Sequence, residues 1–132
     1  MFVYVDTSAV LRAALEAGTD PELQKKIADA QVLLTSRLSL VESARAFHRL
    51  RHERKISEQQ FSRAERDAEA IWSRCEIWEL TRAVCDLACN VAPSKGLRTL
   101  DALHLATYLL ARRRLDGLEL LTADRRLQSA AS

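Results

Sequence analysis

Short apolar runs alternate with longer helical patterns along this chain, and that alternation restricts the fold more than any other feature. The runs at Phe2–Val5, Gln31–Thr35 and Leu118–Thr122 have the length and composition of buried strands. Helical patterns cover residues 9–17, 21–30, 40–55, 58–73, 82–92, 100–114 and 125–130. The alternation predicts an α/β fold of three layers (α/β/α), in which helices cover both faces of a mostly parallel sheet.

A further strand and a pair of charged helices complete the predicted architecture. Residues Glu76–Leu80 alternate polar and apolar side chains, which predicts a half-buried strand near an edge of the sheet. The sheet then has four to five strands. The amphipathic helices 40–55 and 58–73 predict an antiparallel pair that protrudes from the domain or binds a partner. Because no linker or repeat interrupts the pattern, residues 1–132 are predicted to form a single domain.

Composition limits the classes of protein that remain. The net charge of +2 does not by itself indicate a nucleic-acid-binding protein. Arginines concentrate at residues 37–54 and 112–114, which fits a phosphate-bearing partner and equally fits solvated helix faces. Three cysteines in apolar patterns argue against a disulfide framework and for a reducing compartment. No stretch approaches the roughly 20 apolar residues of a membrane span, so a cytoplasmic protein is predicted.

Four acidic residues stand where the predicted strands and helices meet. Asp6 and Asp124 follow the first and last strands, Glu42 follows the second strand by a few residues, and Asp101 opens the most apolar helix. The carboxyl ends of parallel strands share one edge of the sheet, where open α/β folds build their sites. Carboxylates gathered there repel one another unless a cation lies between them. The pattern therefore predicts metal-dependent phosphodiester chemistry.

Each acid also has a structural explanation when it is taken alone. Asp6 and Asp124 could cap the helices that follow them, and Asp101 lies where a helix dipole favours negative charge. Glu42 stands three residues after Ser39, which is the spacing of a capping box. Against these explanations, hydroxyl residues already stand at three of the predicted helix starts, namely Thr7, Ser39 and Thr99. Capping acids beside them would be redundant, which favours a site.

Four sequence blocks also resemble the signature blocks of PIN-domain proteins, and within that family those of VapC-type toxins from bacterial toxin–antitoxin pairs. The blocks are Phe2-Val3-Tyr4-Val5-Asp6-Thr7-Ser8-Ala9, Ser39-Leu40-Val41-Glu42, Leu97-Arg98-Thr99-Leu100-Asp101-Ala102-Leu103-His104-Leu105-Ala106-Thr107 and Leu121-Thr122-Ala123-Asp124-Arg125-Arg126-Leu127. They occur in order along essentially the whole chain. The third block is the most specific of the four, and the first is weak alone.

The resemblance implies a PIN-like fold and an endoribonuclease that depends on Mg²⁺ or Mn²⁺. By this resemblance, the catalytic and metal-binding residues are Asp6, Glu42, Asp101 and Asp124. Asp6 and Asp101 are implied to be the most direct metal ligands. The resemblance also makes Thr7, Ser8 and Thr122 the hydroxyls that hold the pocket together. The implied partners are an RNA substrate, a cognate antitoxin and a second copy of the chain. We expect the antitoxin to bind along the helical pair 40–73.

The predicted reaction is in-line attack of a metal-activated water on a phosphodiester, with Glu42 or Asp124 accepting the proton. Arg98 and Arg12 either contact the RNA backbone or are ordinary surface arginines. His104 lies three residues after Asp101, yet its apolar stripe favours a hydrogen-bonded core histidine over a base or ligand. The alternative functions are a catalytically inactive PIN-fold module that binds nucleic acid or protein, a phosphoacceptor receiver domain, and a purely structural partner protein.

Overall fold

A sheet of four parallel strands forms the centre of the protein, in the order β3-β2-β1-β4, in a computed structural model that describes residues 1–132. The strands are β1 (Phe2–Val5), β2 (Val32–Ser36), β3 (Cys75–Trp78) and β4 (Glu119–Leu121). All three strand pairs are parallel, with Tyr4 opposite both Leu34 and Leu120. The predictions of a parallel sheet and of a strand at its edge are confirmed, because β3 pairs with β2 alone.

Seven α-helices connect and flank these strands. They are α1 (Thr7–Leu15), α2 (Pro21–Asp29), α3 (Arg37–His52), α4 (Glu58–Trp72), α5 (Arg82–Ala88), α6 (Thr99–Arg114) and α7 (Arg125–Ala131). A single 3-10 turn at Pro93–Lys95 lies between α5 and α6. None of these helices is long and apolar enough to span a membrane.

Two hydrophobic cores lie on opposite faces of the sheet because neighbouring strand residues point to opposite sides. Val3, Val5 and Leu33 pack into a first core with buried residues of α1, α2, α3 and α4. Tyr4 and Leu34 pack into a second core with buried residues of α6 and α7. Both cores are needed because a buried parallel sheet must be covered on each face. The three-layer α/β/α prediction is confirmed.

The order of the strands creates a crevice between β1 and β4. The chain runs outward from β1 through β2 to β3, and then returns to the other side of β1 with β4. In open parallel sheets a ligand site forms where the direction of winding reverses, beyond the carboxyl ends of the strands. Asp6 follows β1 and Thr122 follows β4 at this reversal.

The helix starts differ from those predicted in three places. Helix α1 is capped by Asp6 and not by Thr7, and α3 starts at Arg37 with Ser36 as its cap, so Ser39 lies inside the helix and forms no capping box with Glu42. Thr99 is the first residue of α6, whose cap position is Arg98, without a side-chain hydrogen bond. The view that the acids are redundant as caps is therefore wrong for Asp6.

The antiparallel helical pair is confirmed as α3 and α4, which pack against each other. Helix α4 begins with the predicted capping box, because the Ser57 hydroxyl accepts from the Gln60 amide and the Gln60 side chain accepts from the Ser57 amide. A groove of about 810 Å³ runs along the pair, and its apolar lining includes Leu40, Phe47 and Trp72.

Candidate active site

Asp6 lies at the junction of β1 and α1 and is almost fully buried, with 3% of its surface exposed. Its Oδ1 accepts hydrogen bonds from the Ser8 hydroxyl at 2.8 Å and from the Ala9 amide at 3.0 Å. Its Oδ2 accepts a hydrogen bond of 2.6 Å from the Thr122 hydroxyl across the β1–β4 crevice. Ser8 and Thr122 in turn accept hydrogen bonds from the amides of Ala123 and Asp124. The two predicted pocket hydroxyls thus join β1 to the segment after β4.

The environment of Asp6 opposes its negative charge. Burial raises the pKa of the Asp6 carboxyl above its usual value, because the charged form loses its hydration. Hydrogen bonds from Thr122, the Ala9 amide and Ser8 lower the pKa but only partly offset the effect of burial. A cation beside this carboxylate would favour the ionised form, as any nearby opposite charge does.

Glu42 projects from α3 and is held by residues of two other helices. Its Oε1 accepts a hydrogen bond of 2.6 Å from the hydroxyl of Thr7, the first residue of α1. The same oxygen lies 2.7 Å from Nε2 of His104 in α6. Burial opposes the ionisation of Glu42, yet the hydrogen bonds from His104 and Thr7, with a further electrostatic contribution from His104, outweigh burial and lower its pKa. Glu42 therefore remains a carboxylate near neutral pH.

Three of the four predicted acids line one open cavity of about 470 Å³. They are Glu42, Asp101 and Asp124, and the cavity is also lined by Arg98, Thr99, Leu100 and Arg126. Asp101 lies in the first turn of α6, and Asp124 caps α7 by accepting from the Arg126 amide at 2.8 Å. Asp6 is not part of the lining. It is linked to the lining residues through Thr122, which accepts from the Asp124 amide.

The donors around this cavity suit a hard divalent cation in kind. Three of the four predicted ligands line the cavity, and all three are carboxylates, the ligand type that Mg²⁺ and Mn²⁺ prefer. Mg²⁺ commonly binds through one or two carboxylates while retaining several waters. No three carboxylate, imidazole or thiol groups come close enough together to hold a metal ion unaided. The arrangement therefore fits a water-rich metal site better than a closed protein cage.

Two residues of the site were not predicted for it. Arg126 lines the cavity beside Arg98, although the sequence pattern gave no reason to separate it from other surface arginines. His104 is 3% exposed, so the prediction of a hydrogen-bonded core histidine is confirmed, but its partner is Glu42. Its position three residues after Asp101 was the available signal. Arg12 lies in α1 and pairs with Glu16 and Asp20, away from the cavity lining.

Comparison with known proteins identifies the class to which this fold and site belong. The family model described as PIN domain matches residues 3–132, and the chain therefore belongs to the PIN-domain family. A curated relative, Ribonuclease VapC45 of Mycobacterium tuberculosis, is 33% identical over 130 residues, which are 98% of this chain and 88% of that protein. The resemblance to PIN domains of the VapC type is confirmed.

Solved structures share the fold at lower sequence identity. PAE2754 from Pyrobaculum aerophilum superposes with a TM-score of 0.70 at 22% identity, covering 100% of this chain and 81% of that one. VapC20 of Mycobacterium tuberculosis, described as a sarcin-ricin loop cleaving toxin, gives 0.66 at 17% identity over 97% and 94%. VapBC2 from Rickettsia felis, bound to a DNA fragment from its promoter, gives 0.63 at 14% identity over 94% and 100%. These likenesses support the fold.

Proposed function

We propose that this chain is a divalent-metal-dependent endoribonuclease and the toxin of a toxin–antitoxin pair. The observation that carries the proposal is the cavity at the carboxyl end of the sheet, where Glu42, Asp101 and Asp124 meet Arg98 and Arg126. Carboxylates alone would repel a phosphodiester, and the two arginines alone would bind a phosphodiester without cleaving it. Carboxylates that hold a cation beside guanidinium groups can both bind and cleave it. The ribonuclease name of the relative VapC45 agrees with this chemistry.

The four acids would have different roles because their positions differ. Asp101 and Glu42 face the cavity and would hold the cation with Asp6, whose charge a cation would favour. Bound Mg²⁺ or Mn²⁺ would supply an activated water and neutralise charge on the phosphate. Asp124 would orient the site and, with Glu42, is a candidate to accept a proton. Thr7, Ser8 and Thr122 keep the acids in place through the hydrogen bonds described above.

The arginines would bind the RNA backbone. Arg98 and Arg126 line the same cavity as the acids, and a guanidinium group can donate two hydrogen bonds to one phosphate. Arg12 is less suited to this role because it already pairs with Glu16 and Asp20. RNA as the substrate would also place the protein in the cytoplasm.

We expect the protein partner to be a cognate antitoxin. The similar fold of VapBC2 from Rickettsia felis supports this expectation. The groove along α3 and α4 is the surface where we expect the antitoxin to bind, because its lining includes the apolar side chains of Leu40, Phe47 and Trp72. Val41, which follows Leu40 in α3, exposes 52% of its surface. Co-purification with the protein encoded next to this one, and its loss in Val41→Asp, would test the assignment; retention would contradict it. A homodimer remains a prediction.

The test of the nuclease proposal is cleavage of RNA by the purified protein in Mg²⁺ or Mn²⁺ and in EDTA. Asp101→Asn should lower the rate by about 10²–10³-fold, the typical cost of removing one group that stabilises transition-state charge. Asp116→Asn is the matched control, because Asp116 is exposed and does not line the cavity. It should cleave like the wild type.

The alternative, a catalytically inactive PIN-fold module, predicts the opposite results. Such a module would bind RNA equally well in EDTA, and Asp101→Asn would strengthen binding by removing a negative charge. Cleavage that persists in EDTA and in Asp101→Asn would instead indicate a contaminating nuclease and would leave the proposal without support.

A further inference from the structure

A chain of buried side chains runs from the centre of the sheet to the cavity. The Tyr4 hydroxyl on β1 lies 3.0 Å from Nδ1 of His104, and Nε2 of the same ring lies 2.7 Å from Oε1 of Glu42. Tyr4 has no exposed surface and His104 exposes 3%. Only Glu42, whose side chain exposes 23% of its surface, reaches the cavity. The three residues lie on three separate elements, so the contact exists only in the folded protein.

The hydrogen-bonding capacities of the groups determine which nitrogen of the ring donates to Glu42. An ionised carboxylate only accepts hydrogen bonds, so Nε2 of His104 must carry the proton that lies between it and Glu42. In a neutral ring Nδ1 is then an acceptor, and the Tyr4 hydroxyl donates to it. His104 therefore donates to Glu42 through Nε2, and the Tyr4 hydroxyl holds the other nitrogen of the ring.

This arrangement holds one oxygen of Glu42 and leaves the other without a hydrogen bond to the protein. Thr7 and His104 both donate to Oε1, from α1 and from α6 respectively. The hydroxyl of Thr7 also lies 3.2 Å from Nε2 of His104, which brings the two donors together on one side of the carboxylate. Oε2 takes part in neither hydrogen bond. The rotamer of Glu42 is thus determined by residues that do not line the cavity themselves.

We propose that His104, held by Tyr4, is a positioning residue that orients the free oxygen of Glu42 towards the metal. The inference rests on the proposed function, since it assigns His104 a role towards that same site. A histidine that only filled the core would need hydrogen-bond partners but would have no effect on cation binding. Partners of this kind, which orient a ligating carboxylate, typically affect metal affinity by about 10–100-fold.

Binding of Mn²⁺ by calorimetry in the absence of RNA is the first measurement. His104→Leu removes the donor to Glu42 and should weaken binding about 10–100-fold, whereas His104→Gln, whose amide can still donate to Glu42, should recover most of the loss. Tyr4→Phe and Tyr108→Phe form a matched pair in the second core, because each removes one buried hydroxyl bonded at 3.0 Å. Tyr4→Phe should weaken Mn²⁺ binding. Tyr108→Phe should not, because the Tyr108 hydroxyl donates to the Leu118 carbonyl and not to His104.

Nitrogen NMR of the His104 ring in the metal-free wild type is the second measurement and does not depend on any variant folding. We expect Nε2 to carry a proton that it donates to Glu42, and an Nε2 without a proton would overturn the proposal. Equal Mn²⁺ affinity of the wild type and His104→Leu would also overturn it while leaving the proposed function intact. Absence of Mn²⁺ binding by the wild type would instead overturn the proposed function and the inference together.

Discussion

Asp6 and Glu42 are two of the acids proposed for one site, yet their surroundings have opposite effects on their negative charge. On the β1–β4 side, Asp6 is buried and hydrogen-bonded by nearby hydroxyls and an amide, and its pKa is raised. On the α3–α6 side, Glu42 is half-buried and hydrogen-bonded by Thr7 and His104, and its pKa is lowered. Both acids accept good hydrogen bonds, so hydrogen bonding alone does not explain the difference.

The difference comes from how much hydration each carboxylate loses. Burial raises the pKa of Asp6 more than its hydrogen bonds lower it. Glu42 keeps part of its hydration and also accepts a hydrogen bond from an imidazole. The charged form of Asp6 is therefore destabilised by its surroundings, whereas the charged form of Glu42 is stabilised. A cation would relieve Asp6 more than Glu42, and the following predictions test this asymmetry in order of expected size.

The largest effect should be the response of thermal unfolding to metal. Mg²⁺ or Mn²⁺ at 100 times its dissociation constant should stabilise the wild type by about 2.7 kcal/mol relative to EDTA, because it binds only the folded state. Asp6→Asn should lose most of this response, since it removes the carboxylate whose charge the cation relieves. Calorimetric scans of both proteins, with and without EDTA, provide the measurement. An unchanged response in Asp6→Asn would remove Asp6 from the metal site.

A smaller effect is expected when Glu42, whose charged form is stabilised, is replaced. Glu42→Gln keeps the shape of the side chain but replaces charge-assisted hydrogen bonds by neutral ones, so the free energy of unfolding at pH 7 should fall by about 1 kcal/mol. Because the pKa of Glu42 is lowered in the folded state, its stabilisation is present above the unfolded value of 4.5 and is lost as pH falls through the folded value. Urea titrations in EDTA at pH 7 and below pH 4 measure both quantities. A stability difference that does not shrink at acid pH would contradict the assignment.

The smallest effect, of opposite sign, is expected for Asp6→Asn in EDTA. The pKa of Asp6 is raised by folding, so its contribution to stability is complete below the unfolded value of 3.8 and is lost as pH rises through the folded value. The variant should therefore gain stability relative to the wild type as pH rises from 3 to 7. The slope of the difference with pH is the readout, because it is independent of any constant cost of the amide. A slope of the same sign as that of Glu42→Gln would show that the two sides are alike.

Local sequence predicted the elements well and their first residues poorly. Ser36 and Ser39 are both good cap residues three positions apart, and nothing local chooses between them. The structure starts α3 directly after β2, so Ser36 caps the helix and Ser39 is buried, 2.8 Å from the Thr35 hydroxyl. The same limit explains the error at Asp6, because the identity of the cap depends on where the preceding strand ends.

The candidate site was predictable in part for a related reason. The positions of Asp101 and Asp124 at the cavity could be predicted from their places at a helix start and a strand end, since parallel strands bring those places to one edge. The partnership of Glu42 with His104 could not, because the two residues are 62 positions apart and belong to helices on opposite faces of the sheet. Arg126 was missed because exposed arginines look alike in sequence until a cavity separates them.

The sequence by itself determined the alternation of strands and helices, because side-chain periodicity is a local property. It also determined the parallel sheet and the edge at which three of the acids lie, because helical crossovers between successive strands make those strands parallel. Only the tertiary structure decided which acid is buried, which keeps its hydration and which neighbour sets its charge. Those properties depend on the distances between atoms that the chain brings together from far apart, and electrostatic energies in a protein vary steeply with both distance and burial.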